Sequence, residues 1–265
     1  MLAFYAFLLG ALEGLTEFLP VSSTGHLILF NRFFDLHEFK SLEIIIQLGA
    51  ILAVVVLYWQ QWKQALQNIF QDFSFFLKLF LAFLPSALVG LIFFSTIKKY
   101  LFGSASVIAA LIVGGVFMIL VERFLRKKPR TQSEETQNIQ SLSYRQALQV
   151  GFFQILALWP GTSRSMSTIL GGRLLGLSSS FSAEFSFLLA VPTLLAASFY
   201  DFYKNYSEFS LENSSWLYFV IASVTAFVVS LIVMKVFIAF LKKYSLAFFG
   251  YYRIILGLII ILILK

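Results

Sequence analysis

The sequence predicts an all-α polytopic membrane protein. Six full transmembrane helices and two re-entrant helical hairpins are expected, set in two inverted-topology repeats. Three observations carry this expectation. Of 265 residues, 59% are hydrophobic and only 12% charged, against about 25% charged in a soluble domain. The mean hydropathy is +0.86, and several apolar runs exceed the roughly 18 residues that mark a membrane span. Two further apolar stretches are interrupted by proline and hydroxyl residues. At membrane depth, such non-helical backbone persists only when buried in protein or facing water.

Residues 3–30 form the first interrupted stretch, broken by Glu13, Glu17, Pro20 and Ser22-Ser23-Thr24-Gly25-His26. Its start lacks a basic region and an A-x-A-like cleavage site, so it does not read as a cleaved signal peptide. Spans follow at about 43–59, 74–97 and 105–121. Residues 146–176 form the second interrupted stretch, broken at Pro160-Gly161-Thr162-Ser163-Arg164-Ser165, and spans follow at about 183–203, 215–238 and 246–264. Pro85 and Pro192 are expected to kink their spans. Lys78 and Lys235 lie near span ends, where their stems can snorkel.

The division is therefore 1–121 as a first repeat, 122–145 as a cytoplasmic basic loop, and 146–265 as a second repeat. The loop carries Arg123, Arg126, Lys127, Lys128, Arg130 and Arg145, which places it inside. Asp201, Glu208 and Glu212 against Lys204 suit the outside, and Lys242 and Lys243 then fall inside. Lys98 and Lys99 are left outside, against the rule. In this orientation the first hairpin enters from outside and the second from inside. A faint echo agrees: Leu19-Pro20-Val21-Ser22-Ser23 lies over Trp159-Pro160-Gly161-Thr162-Ser163, with Glu43 close to Glu184.

The net charge of +7 does not indicate nucleic acid, because the basic residues sit in short loops between apolar runs. Cysteine is absent, which removes disulfides, thiolate metal sites and cysteine nucleophiles. The two histidines, His26 and His37, are too few for a histidine-rich metal cage.

Glu13 and Glu17 share one helix face at i, i+4. Two acids in an apolar helix are costly unless paired, protonated or bound to a cation. They read either as interfacial acids or as a site for Mg²⁺ or Ca²⁺, which prefer oxygen ligands. After Pro20 come the hydroxyls of Ser22, Ser23 and Thr24, then His26 one helical turn beyond Ser23. They read as an N-cap or as a nucleophile with its base, beside helix amides that attract phosphate. In the second break, Ser163, Arg164 and Ser165 offer hydroxyls and a planar guanidinium suited to phosphate. A snorkelling arginine is the plainer reading. Glu43, Gln47 and Glu184 stand near span starts, as helix-start acids or as partners of the cation and arginine. Together these are the parts phosphoryl transfer uses.

At these residues the sequence resembles the undecaprenyl-diphosphate phosphatase, or bacitracin-resistance protein, family. The resemblance rests on Glu13-Gly-Leu-Thr-Glu-Phe-Leu-Pro-Val-Ser-Ser-Thr-Gly-His26, Glu43-Ile-Ile-Ile-Gln-Leu-Gly-Ala-Ile-Leu-Ala-Val54, Pro160-Gly-Thr-Ser-Arg-Ser165 and Ala183-Glu-Phe-Ser-Phe-Leu-Leu-Ala-Val-Pro192. Met166 departs from it, standing where the family usually has glycine. The resemblance implies hydrolysis of undecaprenyl diphosphate to the monophosphate, recycling of the cell-wall carrier lipid, divalent-cation dependence and inverted repeats. It further implies the bacterial cytoplasmic membrane, with the site open to its outer, periplasmic face.

On this chain it implies Glu13 and Glu17 at the cation, Ser23 as nucleophile and His26 as its acid/base partner. Thr24, Ser163 and Arg164 would hold the diphosphate; Ser22, Gln47 and Ser165 are further substrate-binding candidates, and Glu17 is a catalytic candidate besides. Attack by Ser23, His26 or water all remain open, and a homodimer is compatible. The partners expected are a polyprenyl diphosphate lipid and the bilayer, with no nucleic acid. The competing reading is a transporter or flippase for a polyprenyl phosphate lipid, which broken helices also suit. The patterns of the phosphatidic acid phosphatase superfamily, Lys-x6-Arg-Pro and Ser-Arg-x5-His, are absent.

Overall fold

The computed structural model describes residues 2–34, 40–125, 137–204 and 215–264, with side chains described except at 31–34, 40–45 and 215. Every regular element among them is helical. The first half runs α1 (Leu2–Thr16), a break, α2 (Ser23–Phe34), α3 (Lys40–Leu57), the short α4 (Trp59–Gln67), α5 (Ser74–Leu101) and α6 (Ser104–Leu125). The second half runs α7 (Tyr144–Gln154), a 3-10 turn (Ile155–Leu158), a break, α8 (Arg164–Leu174), α9 (Ser179–Lys204), α10 (Ser215–Leu241) and α11 (Ala247–Leu264).

Among the described residues, five helices are long and apolar enough to cross a membrane: Ser74–Leu101, Ser104–Leu125, Ser179–Lys204, Trp216–Leu241 and Ala247–Leu264. Each covers an expected span. The expected span 43–59 falls on α3, of which Ile46–Leu57 counts as a shorter apolar helix. Of the residues singled out in the sequence, Arg126, Lys127, Lys128, Arg130, His37, Glu208 and Glu212 lie outside the described residues, as does the side chain of Glu43.

Local chemistry sets the helix ends. Ser143 and Gln146 form a reciprocal capping box at the start of α7. Asp72 accepts the Ser74 amide at 2.8 Å at the start of α5. Pro85 and Pro192 each lie inside one continuous helix. The residues that follow them, Ser86 and Thr193, meet at Gln154 of α7. Its amide donates to Ser86 Oγ at 2.6 Å and accepts from Thr193 Oγ1 at 3.4 Å.

The helix pairings exchange between the halves. α1 packs along α10 as α7 packs along α5, and α3 packs on α10 as α9 packs on α5. α6 pairs with α11, and α3 with α9. Small residues permit the close approaches. A Cβ on Gly10 would run into the Ala222 carbonyl of α10, and one on Gly151 into the Ala82 carbonyl of α5.

Two expectations are corrected. Lys78 does not snorkel: it is 5% exposed, and its Nζ donates to the carbonyls of Ile139 at 2.8 Å and Gln140 at 3.1 Å. A buried ammonium needs such acceptors, and the loop before α7 supplies them. The two breaks also share their backbone feature at a spacing of 141 residues, not the 140 of the sequence echo. Among the described residues, Ser22 (φ 72°) and Ser163 (φ 73°) are the non-glycine residues with positive φ, and each immediately precedes a helix, α2 or α8. In this register Glu43 answers to Glu184 itself, and Gly10 to Gly151.

Candidate active site

Pro20 disfavours helix at Leu19, and α1 ends after a last backbone bond from Glu17 N to Glu13 O of 2.9 Å. The chain restarts at α2 with Ser22 Oγ accepting the Gly25 amide at 3.4 Å. The second break restarts in the same way, with Ser163 Oγ accepting the Met166 amide at 3.3 Å. Met166 is buried in a regular helix there, so the side chain replacing the usual glycine is accommodated. Both breaks thus begin a helix whose first amides and dipole favour an anion.

The two breaks touch. Ser165 Oγ donates to the Leu19 carbonyl at 2.8 Å and lies 3.0 Å from Ser163 Oγ. Arg164 reaches across to Glu17, with Nη2 3.0 Å from Oε1, and both side chains are only 9% exposed. Its Nη1 donates to the Ser186 carbonyl at 2.8 Å, and the guanidinium lies 5.8 Å from the Phe18 ring centroid. Phe18 is wholly buried against Phe187, edge to face, which anchors the first break in the core.

Ser23 Oγ donates to Glu17 Oε2 at 3.2 Å. The carboxylate therefore holds the guanidinium on one oxygen and the hydroxyl on the other. The expected pairing of Ser23 with His26 does not form. His26 Nδ1 instead contacts the Ser22 carbonyl at 2.8 Å, and Nε2 contacts Tyr252 Oη at 2.7 Å. A carbonyl only accepts, so Nδ1 carries the hydrogen that meets the Ser22 carbonyl, and in the neutral ring Nε2 accepts from the phenol. The two rings stack with centroids 5.7 Å apart.

The remaining candidates separate. Glu13 is buried one turn before Glu17, and Thr24 is exposed at the start of α2. Gln47 is drawn elsewhere, accepting from Ser198 Oγ of α9 at 3.1 Å. Glu184 lies in the electrostatic range of Tyr58 and Lys242.

Three participants went unread in the sequence. Ser186 and Tyr252 carried no signal among so many similar residues. Arg253 carried one: it is a charge inside the apolar run of α11, which marks a functional position by default. It is wholly buried. It donates to the carbonyls of Pro20 at 3.4 Å, Ala110 at 3.1 Å and Gly161 at 2.8 Å.

The family model for bacitracin resistance protein BacA matches residues 6–259. The chain belongs to the BacA family. It is similar to proteins named undecaprenyl-diphosphatase in several organisms. The Sorangium cellulosum protein is 46% identical over 98% of this chain and 86% of its own length. The Methylobacillus flagellatus protein is 44% identical over 98% and 97%. The Clostridium tetani protein is 42% identical over 99% and 97%. In this member of the BacA family the stretch from Glu13 to His26 runs from the end of α1 through the first break into α2.

The groups a cation could use here offer oxygen: the buried carboxylates of Glu13 and Glu17, one turn apart, and the Ser23 hydroxyl on Glu17 Oε2, with Glu17 Oε1 taken by Arg164. Among the described residues no group of three or more His, Cys, Asp or Glu gathers. Such a set fits a hard cation that keeps water or phosphate oxygens in its shell, as magnesium does.

Proposed function

We propose that this chain is an undecaprenyl-diphosphatase. It hydrolyses undecaprenyl diphosphate to undecaprenyl phosphate and inorganic phosphate, and by recycling the carrier lipid it confers bacitracin resistance. One observation carries the reading: Glu17 joins Ser23 and Arg164 across two helix starts in a nearly dry site. The family and its named relatives agree.

In this reading the lipid tail stays in the bilayer, gaining about 0.8 kcal/mol per buried CH₂, while the diphosphate enters between the breaks. Arg164, the hydroxyls of Ser163 and Ser165 and the amides opening α2 and α8 hold its oxygens. Ser23 Oγ passes its proton to Glu17 Oε2 and attacks the terminal phosphorus. The bond to the bridging oxygen breaks, and undecaprenyl phosphate leaves. Water then splits the Ser23–phosphorus bond, phosphate departs, and Oγ regains a proton. Glu13 would hold a divalent cation, Mg²⁺ or Ca²⁺, and Glu17 would join it through Oε1 once Arg164 turns to the diphosphate; the cation would neutralise diphosphate charge.

The surrounding architecture in this reading is two inverted repeats of one hairpin and three spans each, in the bacterial cytoplasmic membrane with the site on the periplasmic side. The exchange of helix partners and the matched serines at the breaks support the repeat. The same exchange favours a second reading, transport of a polyprenyl phosphate lipid by rocking one repeat against the other.

Purified protein in detergent, given undecaprenyl diphosphate and Mg²⁺ or Ca²⁺, should release phosphate without a membrane gradient. A chelator should stop the release and added cation restore it. Ser23→Ala and Arg164→Ala should each abolish it. Binding of the lipid with no release would favour transport, and full turnover by Ser23→Ala would reject the nucleophile.

A further inference from the structure

We infer that Arg253 is a positioning residue that sets the two helix breaks in register with each other, an inference that rests on the phosphatase reading. Its guanidinium donates to Pro20 O in the first break and to Gly161 O in the second. These two carbonyls hold the same place, each two residues before the positive-φ serine, Ser22 or Ser163. A third donation, to Ala110 O, ties the group to α6, which packs along α11.

The geometry explains why arginine stands here. A broken helix leaves carbonyls without their usual i+4 amide donors, and at membrane depth no water replaces them. A guanidinium offers five donors on a rigid plane, so one side chain can serve three carbonyls from three segments. Lysine offers a single point of charge and cannot span them. The surroundings are shaped to admit the fork. A Cβ on Gly114 would stand 2.6 Å from Arg253 Nη2, and Gly161, at φ +95°, has no room for a side chain beside Val107.

The consequence is catalytic alignment at one remove. The first break carries Glu17 and Ser23, and the second carries Arg164. Nothing in the covalent chain fixes their separation, and a misplacement of about 1 Å can cost on the order of 100-fold in rate. Arg253 touches neither Glu17, Ser23 nor Arg164 by hydrogen bond. Its loss should therefore lower kcat while leaving KM nearly unchanged.

The test compares wild type, Arg253→Lys and Arg253→Met as full chains in detergent. It reads kcat and KM for undecaprenyl diphosphate, the melting temperature, and one distance. The cysteine-free sequence allows nitroxide labels at Leu15→Cys and Leu156→Cys, both exposed positions flanking the two breaks. Arg253→Lys should lose roughly 10- to 100-fold in kcat with KM within about threefold. Its melting should stay close to wild type, and the label–label distribution should broaden or shift. An unchanged distance distribution in Arg253→Lys overturns the proposal, whatever the rate does. So does a rate loss that only tracks the loss of folded protein. If Arg253→Met fails to fold, the lysine variant decides. If the wild type releases no phosphate, the phosphatase reading fails and the distance measurement still judges the role of Arg253.

Discussion

Glu17 offers its two oxygens to two different partners. Oε1 holds the Arg164 guanidinium and Oε2 accepts the Ser23 hydroxyl. Breaking a buried ion pair from one side costs about 3–5 kcal/mol, because the surviving charge loses its partner. Glu17→Gln keeps the shape but removes both the charge and the base. It should lower kcat by about 10²–10⁴ and also lower the melting temperature, measured on detergent-purified protein. A normal melting temperature with normal turnover would show that Ser23 needs no carboxylate. At this scale the sequence was legible where an expensive residue fell in an interrupted stretch, whereas Arg253, as expensive inside the unbroken α11, was missed. Glu13, Glu17 and Arg164 stand out in apolar stretches because uncompensated charge there is costly. The partnerships were not legible. Helical spacing puts His26 one turn beyond Ser23, yet the positive φ at Ser22 turns the chain so that Ser23 faces back to Glu17. His26 is left to Tyr252, whose aromatic ring is one of many.

Among the elements, the spans were legible because their length and apolar content leave few alternatives, and both breaks were legible because proline and hydroxyl runs interrupt them. The pairing of the helices was not. It depends on small residues such as Gly10 and Gly151, whose role appears only once Ala222 and Ala82 face them. Gly151→Leu forces α7 away from α5. The cost expected is about 1–3 kcal/mol of overpacking, read as a lower melting temperature in detergent. Leu at Gly103, where nothing lies within 4 Å, should leave stability near wild type. Equal melting of the two variants would mean that α7 has room to move. The prolines taught a similar lesson. Pro85 and Pro192 stay within continuous helices, and the hydroxyls that follow them both reach Gln154.

For the whole molecule, orientation was argued from basic loops, and the absence of cysteine makes that argument testable. Gly103→Cys, in the turn between α5 and α6, should react with an impermeant thiol reagent added outside intact cells. Lys243→Cys, between α10 and α11, should react only after the membrane is opened. The reverse pattern would invert the molecule and place the site inside. The division of labour between the halves was only faintly legible. The first supplies the carboxylates and the Ser23 hydroxyl, the second the Arg164 guanidinium. The register that reveals this is one residue away from the one the sequence echo suggested.

The bridge from Glu17 to Arg164 joins segments made early and late in translation. A polypeptide released before Arg164 emerges holds acids and a hydroxyl but no counter-charge, and the later portion alone holds a guanidinium with nothing to face. Severing the gene between residues 130 and 131 and expressing both fragments together should restore phosphate release, whereas each fragment expressed singly should yield none.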